Sequence, residues 1–119
     1  MTIADYFSEG LEQWSSVHGT RRSIKVLYET IDLIMFYQTM APGEELRPEQ
    51  HDVEEIIYRI EGTTEHQVGS TTCRVTAGMR VYIPAFTTHS CKVVDDVPVK
   101  QIVVLSRNAI SGRFHLFEE

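Results

Sequence analysis

The chain has 119 residues, 42% of them apolar and 24% charged, which is the size and composition of one folded domain with a single core. Its formal net charge of -6 excludes a surface built to neutralise phosphates, so nucleic acid is not an expected partner. No apolar run approaches the roughly 20 residues that span a bilayer, and Met1–Asp5 lacks the charged start of a secretory signal, so no membrane association and a cytoplasmic location are expected.

In chain order, Ile3, Tyr6, Phe7, Leu11 and Trp14 recur at spacings of three and four and predict a helix over residues 2–17, its aromatics covering one end of the core. From Ser23 the composition turns to Val, Ile, Tyr, Phe and Thr, which predicts two strands up to Met40 with a turn at Glu29–Asp32. Pro42-Gly43 breaks the run, and a polar segment Glu44–Glu54 follows. Short strands are then expected at 56–60, 63–68, 72–75, 80–83, 90–94 and 99–105, each bounded by Gly, Pro, Asp or Ser. Many short strands behind one helix indicate an all-β fold, a sandwich or a closed barrel with its core over about 23–106. The apolar residues of the tail from Ile110 to Glu119 suggest that it docks on the barrel or on a partner subunit. Cys73 and Cys91 lack a CxxC spacing and are expected to be free, packed thiols.

The polar segment carries the chemistry. Residues two apart on a strand project from one face, so Glu49 and His51 can point into a barrel together, with Glu55 again an even number of positions away. His89, entering the strand after Pro84, can supply a fourth group. Imidazole and carboxylate are ligands suited to Fe, Mn, Ni, Zn or Co, and no thiolate pair nearby suggests a structural zinc cage.

The spacing Gly43, Glu49-x-His51, Glu55, Gly62, followed by Gly78, Pro84-x-Phe86, His89, Val93, resembles the two motifs of the cupin family. Every gap is kept. Glu49 stands where the family's first motif has a histidine, and Phe86 and Val93 stand where its second has glycine and asparagine. The resemblance covers about residues 34–106 and implies a double-stranded β-helix, or jelly-roll barrel, with one divalent metal in its mouth held by Glu49, His51, Glu55 and His89, frequently as a homodimer. Two imidazoles and two carboxylates would balance a divalent charge and favour Fe, Mn or Ni over Cu. Alternatively Glu49 leaves the ion to His51, Glu55 and His89 and acts as a general base.

Three further residues are candidates. If Glu55 faces inward, so does Arg59, which could clamp a substrate carboxylate; the simpler reading is an arginine that reaches solvent or pairs with Glu61 or Glu65. Alternation turns Tyr82 away from the site unless a bulge intervenes, so Tyr82, a catalytic candidate, and Phe86 either line the pocket or close it. His18, His66 and His115 lack ligand partners at sensible spacing and read as surface residues. The expected function is metal-dependent chemistry on a small carboxylate-, enol- or carbonyl-bearing metabolite, of the dioxygenase or lyase kind. An isomerase or decarboxylase is the nearest rival, and a sugar-like ligand-binding or sensing barrel the non-catalytic one.

Overall fold

A computed structural model describes residues 13–107. Ten strands form two antiparallel sheets: β1 (Ser15–Ser16), β2 (Arg22–Glu29), β3 (Leu33–Met40), β4 (Glu45–Glu49), β5 (Glu55–Glu61), β6 (Thr64–Val68), β7 (Thr71–Val75), β8 (Arg80–Ile83), β9 (His89–Val93) and β10 (Val99–Ser106). The six-stranded sheet runs β1-β2-β3-β10-β5-β8 and the four-stranded sheet β4-β9-β6-β7. This is the all-β architecture expected, and no helix among the described residues is long and apolar enough to cross a membrane. The expected helix falls largely on residues 2–12, outside the described residues, as does the tail. Its described end is extended instead, with Ser15 and Ser16 paired to Ile24 and Ser23. Trp14 is half exposed, edge-on to Tyr37 at 5.4 Å between ring centroids and beneath the Lys25 ammonium at 5.1 Å.

Alternation builds the interior. On β10, Val99, Gln101, Val103 and Leu105 are buried while the residues between them are half exposed, and β3 does the same with Ile34, Phe36, Gln38 and Met40. The turn between β2 and β3 is closed by Thr30, whose hydroxyl accepts from the amides of Asp32 and Leu33. Two apolar clusters result. One gathers Ile24, Ile34, Phe36, Ile57, Ile83, Val103 and Leu105, and the other Met40, Cys91, Val93 and Val99 with Leu46 against it.

Two irregularities position side chains. In β4, the edge strand of its sheet, Leu46 faces Cys91 and Glu49 faces His89, so three steps on β4 match two on β9. Without that extra residue Leu46 and Glu49 would lie on opposite faces; the bulge puts both on the side of Cys91 and His89. Pro48 sits inside it, where its missing N–H costs no central ladder bond. The second bulge is in β5, where Gln101 faces Arg59 but Lys100 faces Glu61.

The β5–β6 turn demands glycine. Gly62 has φ +92°, and a Cβ there would meet the Val99 Cα at 2.8 Å and the Pro98 carbonyl oxygen at 2.9 Å, both backbone atoms that cannot step aside. Gly62→Ala is therefore expected to destabilise the fold by about 2 kcal/mol, measured by urea denaturation. A loss below about 0.5 kcal/mol would show that the turn relaxes.

Candidate metal centre

The candidate ligand side chains come from four places: the bulged end of β4 (Glu49), the loop after it (His51), the first residue of β5 (Glu55) and the first residue of β9 (His89). The donor atoms of Glu49, His51 and His89 lie within 4.8 Å of one another. The two imidazole rings are 4.8 Å apart at 62°. Each ring is oriented by a backbone carbonyl two residues away: His51 Nδ1 donates to the Val53 oxygen at 2.8 Å and His89 Nδ1 to the Thr87 oxygen at 3.0 Å. Fixing the proton on Nδ1 leaves the Nε2 lone pair as the outward donor on both rings, the arrangement that metal-binding histidines require.

What faces those lone pairs is negative. His51 Nε2 lies 3.1 Å from Glu55 Oε1, and His89 Nε2 lies 3.5 Å from Glu49 Oε1. His89 is 2% exposed, and its Nε2 has no hydrogen-bond partner among the described residues. A buried lone pair facing a carboxylate is repulsive unless a cation lies between them. Either a proton or a metal ion resolves the clash, so the donor set fits a divalent ion.

The titration of these groups reports the same electrostatics. The Glu55 carboxylate raises the His51 pKa against the opposing effect of burial, and the Val53 carbonyl adds to the rise. For His89, burial pulls down, but the Glu49 carboxylate, the Thr87 carbonyl and Glu55 together outweigh it and leave the pKa raised. Glu49 is held below the usual carboxylate range by His89 and, more weakly, by His51 and Arg22, against burial. It therefore stays ionised, the form that coordinates. Arg22 lies outside the motif spacing; it pairs in register with buried Met40 two residues before buried Ile24, and that alternation is the signal for its position.

The four expected ligands are thus brought together unequally. Glu49, His51 and His89 form the tight group, and Glu55 joins it through His51. Glu49, which departs from the cupin pattern, lies directly opposite His89. Replacing His89 by Ala should weaken Mn(II) binding by roughly 100-fold or more and Glu49→Gln by about tenfold, read by equilibrium dialysis. Equal affinities for all three proteins would place the ion elsewhere.

Other expectations need correcting. Tyr82 is 55% exposed on the outer face of β8, opposite Ile56, while its neighbour Ile83 is fully buried opposite Glu55. No bulge intervenes, so alternation keeps Tyr82 out of the site. Arg59 neither reaches solvent nor pairs with Glu61 or Glu65, which bind Lys100 at 3.2 Å and Arg74 at 2.6 Å on the outside. It is 0% exposed, donating from Nε to Gln101 Oε1 (3.2 Å), from Nη1 to the Gly62 and Val75 carbonyls (3.1 and 2.9 Å) and from Nη2 to Thr64 Oγ1 (2.9 Å). With its fork occupied by the protein, Arg59 does not clamp substrate. His66 is buried rather than at the surface, with Nδ1 2.8 Å from Thr64 Oγ1. Cys91 is buried as expected and burial pushes its thiol up to about 11; Cys73 is exposed. His18 is exposed, and His115 lies outside the described residues.

The comparisons agree with this architecture. Residues 36–105 match the family of the cupin domain, and the chain belongs to that family. No curated protein sequence matches it. Among solved structures it is similar to an RmlC-like cupin from Shewanella frigidimarina NCIMB 400 (TM-score 0.78, 19% identity, 87% of this chain and 91% of that one). It is also similar to KdgF from Halomonas sp. (0.74, 20%, 88% and 96%) and to the polyketide cyclase RemF from Streptomyces resistomycificus (0.73, 16%, 84% and 77%). At these identities the likeness is one of fold.

Proposed function

We propose that the chain is a metal-dependent cupin enzyme acting on a small anionic metabolite, by an oxygen-dependent or metal-assisted cleavage. One observation carries this reading: two imidazole Nε2 atoms, each set by a backbone carbonyl, converge with two carboxylates at 3.1 and 3.5 Å. Glu49, His51, Glu55 and His89 would hold one divalent ion, with Fe, Mn or Ni suiting a half-carboxylate ligand set. Such an ion supplies Lewis acidity and exchangeable positions for substrate or oxygen.

The protein's own groups do the rest. His51 and His89 present Nε2 lone pairs and donate their Nδ1 protons to the carbonyls of Val53 and Thr87, so neither ring is available as a proton shuttle. Glu49 is half exposed and ionised, so it is also the group positioned to accept a substrate proton if it leaves the ion. Two carboxylates balance a divalent charge. The interior then also holds Arg59, buried with no carboxylate contact among the described residues, which favours a substrate that brings a negative charge.

Oxygen uptake by the Fe(II)-loaded protein with a panel of small carboxylates and enols tests the reading. Consumption that depends on one substrate and disappears in His51→Ala is the expected result. Turnover without oxygen consumption would favour the isomerase or decarboxylase alternative, and ligand binding without turnover a sensing barrel. The small-molecule partner is joined by a proposed second copy of the chain, which light scattering coupled to size exclusion would register at twice the monomer mass.

A further inference from the structure

Phe86 combines an unusual backbone conformation with an exposed side chain. It has φ 62°, and it is the sole non-glycine residue in the left-handed region among the described residues. Side chains other than glycine are disfavoured there because Cβ crowds the backbone, and a bulky one is a genuine outlier. Packing does not offset that cost, since Phe86 is 69% exposed and belongs to neither apolar cluster. A strained backbone carrying an exposed aromatic ring needs a reason outside folding.

Its position supplies one. The Phe86 amide donates to the His51 carbonyl at 2.7 Å, and the next residue, Thr87, orients the His89 ring. The loop is pinned further where Gly69 N donates to the Thr88 carbonyl at 2.8 Å and Gln50 Nε2 to Thr88 Oγ1 at 3.1 Å. Phe86 is therefore fixed between the two ligand-bearing segments, at the rim of the metal centre.

We propose that Phe86 is a substrate-contacting residue that sets specificity, offering a ring face to a planar or aromatic portion of a carboxylate whose charged end lies at the metal centre. This deepens the proposed function and rests on that reading of the site. The αL backbone holds the ring outward from the loop, at no benefit to the core, so that a ligand at the mouth can cover it. A contact of this kind favours an aromatic over a small aliphatic carboxylate about five- to tenfold.

The experiment uses Mn(II)-loaded protein, with benzoate and acetate as probes and paramagnetic broadening of their proton signals as the readout of affinity. Wild type is expected to bind benzoate at least fivefold more tightly than acetate. Phe86→Gly should bring benzoate close to acetate, change acetate by less than twofold, and melt at the same or a higher temperature because strain is relieved. Phe86→Tyr should restore the preference. A benzoate preference that persists in Phe86→Gly, or is absent from wild type, overturns the contact while acetate broadening leaves the metal-centre reading standing. A melting temperature several degrees lower in Phe86→Gly would assign the ring to packing and also overturns it. Failure of wild type to take up Mn(II) removes both readings.

Discussion

Arg59→Met is expected to cost about 3–5 kcal/mol of folding stability, a large part of what a domain of this size possesses. The guanidinium ties the two sheets together: it leaves β5, in the six-stranded sheet, and donates to Thr64 at the start of β6 and to the carbonyl of Val75 at the end of β7. Its Nε bond to Gln101 extends through Gln101 Nε2 to Gln38 Oε1 at 2.7 Å, so a polar row crosses β5, β10 and β3 in register. Burial lowers the Arg59 pKa, yet the group remains an arginine with four donations to neutral acceptors. Methionine fills much of the volume but leaves two carbonyls, a hydroxyl and an amide oxygen without their donor in a dry interior, and those losses dominate. Arg59→Lys should recover part of the stability, because an ammonium keeps the charge without the planar fork. Denaturant midpoints unchanged in Arg59→Met would mean that water replaces the guanidinium.

Acid should weaken the fold through His66 before the carboxylates titrate. Burial, the Arg59 charge and the His89 charge lower the His66 pKa to about 4 from an ordinary value of 6.5. Thr64 Oγ1 accepts from Arg59 and turns its own proton toward His66 Nδ1, which suits a neutral ring. The sign follows from where protons bind. Above pH 6.5 His66 is neutral in both folded and unfolded chains; between 6.5 and 4 the unfolded chain takes up a proton that the folded one refuses. Stability is therefore lost as pH falls across that window, by about 3 kcal/mol in all. His51 and His89, with raised pKa values, add stability as pH falls toward 6.5 and hold it level below, and His66→Asn is the comparison that retains their contribution. The variant's stability should fall less between pH 6.5 and 4 than that of the wild type. Parallel curves would show that His66 titrates normally in the folded chain.

The sheet was legible where burial is alternating and local. β3 and β10 announce themselves through apolar residues on every second position, and the β2–β3 turn through Thr30 and Asp32. β4 reads only as a polar segment, because an edge strand of Glu, Leu, Arg, Pro and Glu has no apolar face to betray it. The candidate ligand residues are legible from parity and motif spacing, but not their grouping. Glu49 is placed opposite His89 by a bulge, and bulges are set by pairing with a distant strand. Arg59 is illegible because its partners are Gly62, Thr64, Val75 and Gln101, backbone oxygens or residues on other strands that side-chain spacing does not reveal, whereas His66 is buried by sharing the inner face of β6 with Thr64, a polar face that hydropathy does not mark. Phe86 was visible as a departure from glycine, although only its φ shows that the backbone kept the glycine conformation.

On the proposed reading, the Nε2 lone pairs of His51 and His89 and the carboxylates of Glu49 and Glu55 share one divalent ion. Elemental analysis of protein purified without chelator, followed by Mn(II) or Fe(II) titration with proton release recorded at pH 7, tests it most directly. One ion per chain is expected, with proton release on binding because the carboxylates raise the His51 and His89 pKa values, and loss of both in His89→Ala. Full metal retention in His89→Ala, or no ion bound by the wild type at excess metal, would overturn the shared site.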